Sequence, residues 1–387
     1  MVFSKKSLQF IIAALVACLP LFGFANSAED SLKVHTETIA VTQENAETSH
    51  HEVEVDPNSM EGRKAKINAF KMHHVLDSHE FSLFENDGQH FGFPLPIILW
   101  DNGVHIFSSS KFEHGHAVAE SDGNYYRLGH DEKIYKVESA TAELSGDEHH
   151  PTNAKVLDFS ITKSVFTLMI VALLMFWLFS SLAKSFSKNG GISSGAGRLF
   201  EPIVLYIRDE IAIPNIGEKH YKKYMSYLLT IFFFIWFLNM FGLTPLGINV
   251  TGNIAITAGL AIITALITNI TANKNYWGHI FWMPGVPTPM KIILAPIELL
   301  GVIIKPFSLM IRLYANIFAG HVVLMSLIAL IFLFKSWIGG SLSFLLSFAL
   351  STIEILVALL QAYIFTMLSA LYFGSAVEEH HHDDAHH

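Results

Sequence analysis

The sequence predicts an all-α polytopic membrane protein with about five crossings, the last two made by long tilted helices. Ahead of these it predicts an exported, partly β extension. Three observations carry this. Hydrophobic residues make up 51% of the 387 positions and charged residues only 15%, against about 25% charged in a soluble domain. Apolar runs long enough to cross a bilayer recur from Ser164 onward. Charge is also divided along the chain, with a net of −11 over residues 1–155, +6 over 156–377 and −4 over the last ten. An acidic half ahead of a basic, apolar half suggests two compartments. It does not suggest a nucleic-acid binder, because the basic residues flank apolar runs and form no separate patch. A single Cys excludes a disulfide framework and a Cys-based zinc site.

At the N-terminus, Lys5 and Lys6 precede an apolar run from Leu8 to Phe24. Small residues Gly23 and Ala25 and polar Asn26-Ser27 follow. These are the parts of a secretory signal peptide, residues 1–25, with cleavage after Ala25. Leu15-Val16-Ala17-Cys18 also resembles a bacterial lipobox, in which Cys18 would be lipidated. Against that, Leu19 to Ala25 stays apolar where a mature lipoprotein turns polar. Pro20 and Gly23 interrupt the run and argue against an uncleaved span.

Residues 26–155 form an acidic, His-rich extension expected outside the membrane, in the periplasm. Asn26 to Asp56 has few large apolar residues and is expected to be largely disordered. From His79 onward, Phe81 to Phe84, Phe91 to Trp100 and Val104 to Phe107 read as short strands. Asn86-Asp87-Gly88 and Asp101-Asn102-Gly103 are the turns between them. Thirteen of the 21 His lie in this extension, among them His73, His74, His114 and His116. Their spacing matches no strong zinc motif, so a solvated surface titrating near pH ~6.5 is favoured over metal capture. The extension supplies no intramembrane polar residue, and it is expected to be dispensable for ion translocation.

The membrane half, residues 156–377, opens with Ser164 to Leu182, about 19 residues and enough for a hydrocarbon core of about 30 Å. Lys184, Lys188, Arg198, Arg208, Lys219, Lys222 and Lys223 follow, which places the next loop in the cytoplasm. Within it, Leu199 to Ile213 mixes apolar residues with Glu201, Arg208, Asp209 and Glu210, the pattern of a helix lying on the membrane surface. Met225 to Phe241 returns outward and Asn253 to Ile270 goes back in. Ile292 to Phe334 and Leu342 to Phe373 each exceed 30 residues. At 1.5 Å per residue such a helix is roughly 45 Å long and must tilt, kink or break to fit a bilayer. The charged tail, residues 378–387, is expected in the cytoplasm.

The chemistry is concentrated in the last two runs. The first contains Glu298, Lys305 and Arg312, and charge at bilayer depth costs on the order of 3 kcal/mol per residue. Lys305 stands before Pro306 near the cytoplasmic half, where its head can snorkel. Arg312 is the sole Lys, Arg, Asp or Glu between Phe307 and Phe334. Its pKa is too high for proton release, so it acts as a fixed cation. A structural ion pair with Glu298 or Glu354 is the plain alternative. On a helix, Ser308, Arg312, Ala315, Asn316 and Ala319 share one side, a strip small and polar enough for another helix to approach. His321 points to roughly the opposite side. Glu354 and Gln361, seven apart, face the same way. His321 and Glu354 form a titratable pair if they meet.

The run PFSLMIRLYANIFAGH over residues 306–321 resembles the signature of subunit a of F-type ATP synthase. LQAYIF over 360–365 resembles the last-helix motif of that family, and Glu298 to Pro306 and NMFGLTP over 239–245 also fit. The resemblance covers about residues 156–380. It implies that Arg312 is the essential cation facing the ring, that Asn316 and Gln361 are its polar partners, and that Ser308, Ala315 and Ala319 complete the ring-facing strip. It implies a proton pathway of His321, Glu354 and Glu298. Many family members carry Glu where His321 stands and His where Glu354 stands, so the two are exchanged here.

The resemblance further implies a non-catalytic, proton-translocating stator subunit in a bacterial inner membrane. Its partners would be a proteolipid c-ring, peripheral-stalk subunit b, the remaining ATP synthase subunits and the lipid bilayer. No cofactor, metal or nucleic acid is expected. The competing class is a stand-alone ion-coupled secondary transporter. Such proteins often show inverted repeats, and none is visible between the halves of this chain.

Overall fold

The computed structural model describes residues 77–378, apart from 87–88, 116, 130, 148–149, 189–196, 245–249, 284–285 and 334–336. The expectations for the signal peptide, Cys18, the segment 26–56, His73, His74 and the tail beyond Glu378 lie outside those residues.

The first part is β. Strands β1 (Glu80–Asn86) and β2 (Gln89–Pro94) form a hairpin. Strands β3 (Pro96–Trp100) and β4 (Val104–Ser108) form a second, closing from Trp100 to Val104. Asn102 at φ 54° turns the corner, as the Asp-Asn-Gly run predicts, because Asn tolerates the left-handed region. A short strand, β10 (Leu157–Asp158), pairs with the other edge of β3.

The sequence reading did not anticipate a second sheet, of β5 (Ala119–Ser121), β6 (Asn124–Leu128) and β7 (Ile134–Val137). Its signal is Asp122-Gly123, both at positive φ, between Ser121 and its partner Asn124. That two-residue loop carries the right-handed twist of a hairpin. A small pair, β8 (Gly146–Asp147) and β9 (His150–Pro151), follows. Alternate residues of β3 and β4 bury Ile97, Leu99 and Phe107 against Phe112, Tyr126 and Ile134, which makes a separate small core.

The membrane half is helical. Its elements are α1 (Lys163–Lys188), α2 (Gly197–Tyr206), α3 (Tyr221–Gly242), α4 (Ile254–Thr271), α5 (Lys274–Phe281), α6 (Thr288–Leu333) and α7 (Trp337–Val377). Five of these are long and apolar enough to cross a membrane. α2 runs on through a π turn, Ile207–Ala212, into a last helical turn, Ile213–Ile216. Ile207 and Ile211 are buried there while Arg208 pairs with Asp209 outside, the two faces expected of a surface helix.

Helix α5 lies between the third and fourth long apolar helices. Asn273 just before it donates from its backbone and side chain to the carbonyls of Ala376 and Val377 at 2.8 and 3.1 Å. These are carbonyls that the end of a helix leaves unpaired. The 46-residue α6 stays continuous through Pro296 and Pro306. Neither helix breaks, so tilt and curvature are what fit them to a bilayer.

α3 lies at the centre. Leu228, Phe233, Ile235 and Leu238 are fully covered, and α3 packs on α1 and α7. Asn239 accepts from the Thr251 hydroxyl at 2.8 Å and donates to the Ala358 carbonyl at 3.4 Å. Tyr224 donates to Thr271 at 2.7 Å and stacks on Phe373 at 4.5 Å. α6 packs between α4 and α7. Many outward side chains of α6 and α7 are large and apolar, including Ile303, Phe307, Phe344, Phe348 and Leu356, as lipid contact requires.

The β part is seated on α1. Phe81 and Phe93 stack at 4.9 Å, and Phe166 meets their rings edge-on at 5.4 and 5.3 Å. Asp77 caps α1, accepting from the Ser164 N–H at 3.0 Å and the Thr162 hydroxyl at 2.9 Å.

Candidate functional site

Helical periodicity sets the strip on α6. Arg312, Ala315, Asn316 and Ala319 are exposed and Ser308 is half-buried, while Leu309 and Leu313 on the other side are buried. Arg312 makes no ion pair or hydrogen bond to any described residue. The structural pair with Glu298 or Glu354 is therefore absent among the described residues. The Arg312 charge acts on the Tyr372 phenol of α7. A fixed cation thus stands on an open, small-residue strip within an apolar helix.

His321 is turned inward and buried, with its Nε2 lacking a hydrogen-bond partner. Glu354 is buried on α7, and both its carboxylate oxygens lack partners. Glu354 reaches in over Gly320. A Cβ there would lie 2.5 Å from the Glu354 Oε1, so the Glu354 carboxylate would have to shift to admit any other side chain. Glu354 therefore rests against the residue beside His321, although the two side chains make no direct hydrogen bond. Gln361 is buried on the same side of α7 as Glu354 and so does not share the exposure of Arg312 and Asn316.

A narrow cleft lies between α4, α5, α6 and α7. Thr264, Thr268, Asn269, Tyr276, Lys305 and Tyr372 line it. Lys305 turns its ammonium over the Tyr372 ring at 5.8 Å and lines the cleft. Asn269 Oδ1 is buried without a partner. Burial and the Glu298 carboxylate push the Tyr276 phenol pKa up, which sets Glu298 close to the cleft. The sequence reading missed this group. Its signal was the spacing of Thr264, Thr268 and Asn269 along one side of an otherwise apolar helix.

In the β part the solvated-surface reading of the histidines fails at two positions. His79 and His105 are 3% and 5% exposed. His79 Nε2 lies 2.8 Å from Asp158 Oδ2, and His105 meets the Asp101 carbonyl at 3.0 Å and Asp122 at 3.2 Å. Asp158 on β10 and Asp122 in the β5–β6 turn bring carboxylates to them from far along the chain, which spacing does not reveal. Among the described residues, no group of three His, Cys, Asp or Glu side chains could hold a metal ion.

Five apolar helices, with an unpaired arginine in the fourth, define a polytopic helical membrane protein. Comparison with known families makes this specific. Residues 165–374 match the family described as ATP synthase A chain, and residues 70–159 match a domain of unknown function, DUF8433. The chain is 36% identical to ATP synthase subunit a of Chloroherpeton thalassium, over 76% of this chain and 90% of that one. It is 42% identical to subunit a of Myxococcus xanthus, over 59% and 77% respectively. With subunit a of Anaeromyxobacter sp. it shares 34% identity over 84% and 74%, a match too long to be confined to the membrane half. The chain belongs to the ATP synthase subunit a family and is a membrane-sector subunit of that proton-transporting, ATP-synthesising complex.

Proposed function

We propose that the chain is the stator channel through which protons reach and leave a rotating ring of proteolipid carboxylates. The observation that carries this is the unpaired Arg312 on an exposed strip. A cation at membrane depth with no anionic partner among the described residues calls for one from a neighbour. The small side chains of Ala315 and Ala319 let a ring helix come close.

In this reading a proton enters from the periplasmic side by way of His321 and Glu354 and passes to a ring carboxylate. The neutral carboxyl then rotates through lipid. It releases the proton into an outlet formed by the cleft near Glu298. Arg312 favours the ionised carboxylate at the junction and blocks direct leakage between the two half-channels. Asn316 and Gln361 supply hydrogen bonds beside it. No bond of a nucleotide is made in this chain, and its share of the work is non-catalytic.

The reading places the signal peptide at residues 1–25, the extension in the periplasm and residues 378–387 in the cytoplasm of a bacterial inner membrane. The c-ring lies against α6 and α7, and peripheral-stalk subunit b is a further neighbour. The Lys and Arg residues after α1 support this orientation.

Arg312→Ala in the reconstituted complex tests it. ATP-driven proton pumping is expected to vanish while the complex still assembles. Arg312→Lys is expected to fail largely, since a Lys head is not planar and can lose its proton. Robust coupled pumping by Arg312→Ala would overturn the reading.

A further inference from the structure

The sheet of β10, β3 and β4 is apolar on both faces, including the one turned away from the β core. An antiparallel sheet with one face in water alternates apolar residues inward with polar ones outward. β4 reverses this, because His105 is buried while Val104 and Ile106 stand outside. Strand pairing sets the outward side chains in rows. Leu157, Trp100 and Val104 make one row, and each of them is more than half exposed. Phe159, Ile98 and Ile106 make the next, with the Phe159 N–H donating to the Ile98 carbonyl at 2.9 Å. Ile106 at its end is 66% exposed. In the lowest row the Ile161 N–H donates to the Pro96 carbonyl at 3.1 Å, two residues ahead of the start of α1 at Lys163. No charged side chain falls on these rows. A contiguous apolar patch of this kind marks an interaction surface.

We propose that this face is the docking site of residues 60–76 of the same chain, which lie outside the described residues and cross it as a strap. Four observations point to that occupant. The first is where the segment ends. Asp77 caps α1 through Ser164 and Thr162, and the Ser78 carbonyl accepts from the Lys163 N–H at 2.9 Å, so Leu76 is tethered beside the lowest row. The second is the family match to the domain of unknown function. It begins at residue 70, ahead of the first strand, and therefore takes in Phe70 to Leu76 together with the sheets. The third is composition. Ile67, Phe70, Met72, Val75 and Leu76 put five large apolar residues into ten positions, a density that no ten-residue stretch of 26–66 reaches. The fourth is charge. Residues 60–76 carry a net +3 and residues 77–159 a net −10, so attraction draws the segment onto the β part. Reach is sufficient, since the top row lies about 14 Å beyond the lowest and ten extended residues span up to about 33 Å. Docked in this way, the strap takes the Trp100 and Ile106 rows out of water and ties the exported sheet to the head of α1 through Asp77.

The test uses the whole ATP synthase complex in liposomes, with the β part facing the bath, and does not depend on proton flux. Ile106→Cys is labelled with a membrane-impermeant maleimide, and the chain without that Cys gives the background. Labelling is expected to be slow, and to quicken on the order of tenfold when residues 60–76 are replaced by a Gly-Ser linker of equal length. Ser110→Cys, exposed outside the rows, is expected to label equally fast with and without the strap. Phe70→Ser carried with Leu76→Ser is expected to quicken labelling of Ile106→Cys part of the way, and gives the readout should the linker variant not assemble. Fast labelling of Ile106→Cys in the chain with its strap would show an open face and overturn the proposal. Slow labelling with and without the strap would overturn it too, because something else then covers the face. A benzoylphenylalanine placed at position 106 identifies the cover directly. On irradiation it is expected to join a peptide from residues 60–76 of the same chain. Adducts to lipid or to another subunit alone would assign the face to the bilayer or to that subunit and sink the strap.

Discussion

Single side chains decide the chemistry here. Arg312 is open to a partner, His321 and Glu354 are sealed inside, and Gly320 is the gap into which Glu354 fits. The exchange of His and Glu relative to many family members suggests that the two act as a pair. His321→Glu and Glu354→His alone are each expected to slow proton flux. Carried together, they are expected to recover more activity than the two losses imply, which a double-mutant cycle measures. Additive losses without recovery would show two independent residues. Gly320→Ala places a methyl against the Glu354 oxygen and is expected to reduce flux on the order of tenfold with the complex assembled. Flux equal to the native value would mean that Glu354 can move aside at no cost to transport.

Between elements, backbone proximity matters as much as side-chain packing. α2 ends against α7, where a Cβ on Gly374 would run into the Asn215 carbonyl oxygen. That oxygen is backbone and cannot swing away. Gly374→Ala is therefore expected to push the two elements apart at a cost of about 1–3 kcal/mol. Thermal unfolding of the detergent-solubilised chain should show a lowered midpoint, and an unchanged midpoint would show that α2 is loosely held. The same closeness ties the surface helix to the helix that carries Glu354 and Gln361. The sequence made α2 legible by its mixed faces. It held no sign of where α2 docks, because Gly374 reads as one small residue in an apolar run.

The whole molecule joins a β part to a bundle through a charged seam, and that seam should respond to pH. Glu132 has a pKa raised from 4.5 to about 7, chiefly by burial. Its contribution is present in full below about 4.5 and lost as pH rises through about 7. His79 is also raised, so its contribution is present below 6.5 and lost as pH rises through its folded value. Asp158 is opposed by burial, but the His79 and Ser160 hydrogen bonds and the His79 charge hold it below 3.8. Its contribution is lost only as pH falls through that lowered value. The seam is thus expected to be firmest in mild acid and to loosen above pH ~7 by on the order of 1 kcal/mol, discounted because Glu132 is only partly covered. Hydrogen exchange at the Phe159, Ile161 and Lys163 amides, which donate to the Ile98, Pro96 and Ser78 carbonyls, reports this once intrinsic rates are removed. Glu132→Gln should flatten the response, and a pH-independent protection factor in the native chain would contradict it.

Sequence alone determined the membrane class, the five crossings, the turn between β3 and β4 and the polar residues inside the last two helices. Each rests on a local rule, in which apolar length sets a span, Asn-Gly and Asp-Gly set a turn, and 3.6-residue periodicity sets a strip. The sequence reading ran β2 and β3 together as one strand, Phe91 to Trp100, where the chain passes from one sheet to another at Leu95. Tertiary structure decided which of those residues are open and which sealed. It left Arg312 exposed and unpaired, buried Gln361, and set Glu354 against Gly320. It also decided that the β part is seated on α1. The physical reason is distance along the chain. His79 and Asp158 are 79 residues apart, and Glu132 reaches the field of Lys163 only once two sheets and a helix have packed. No spacing rule reports a contact made by that route.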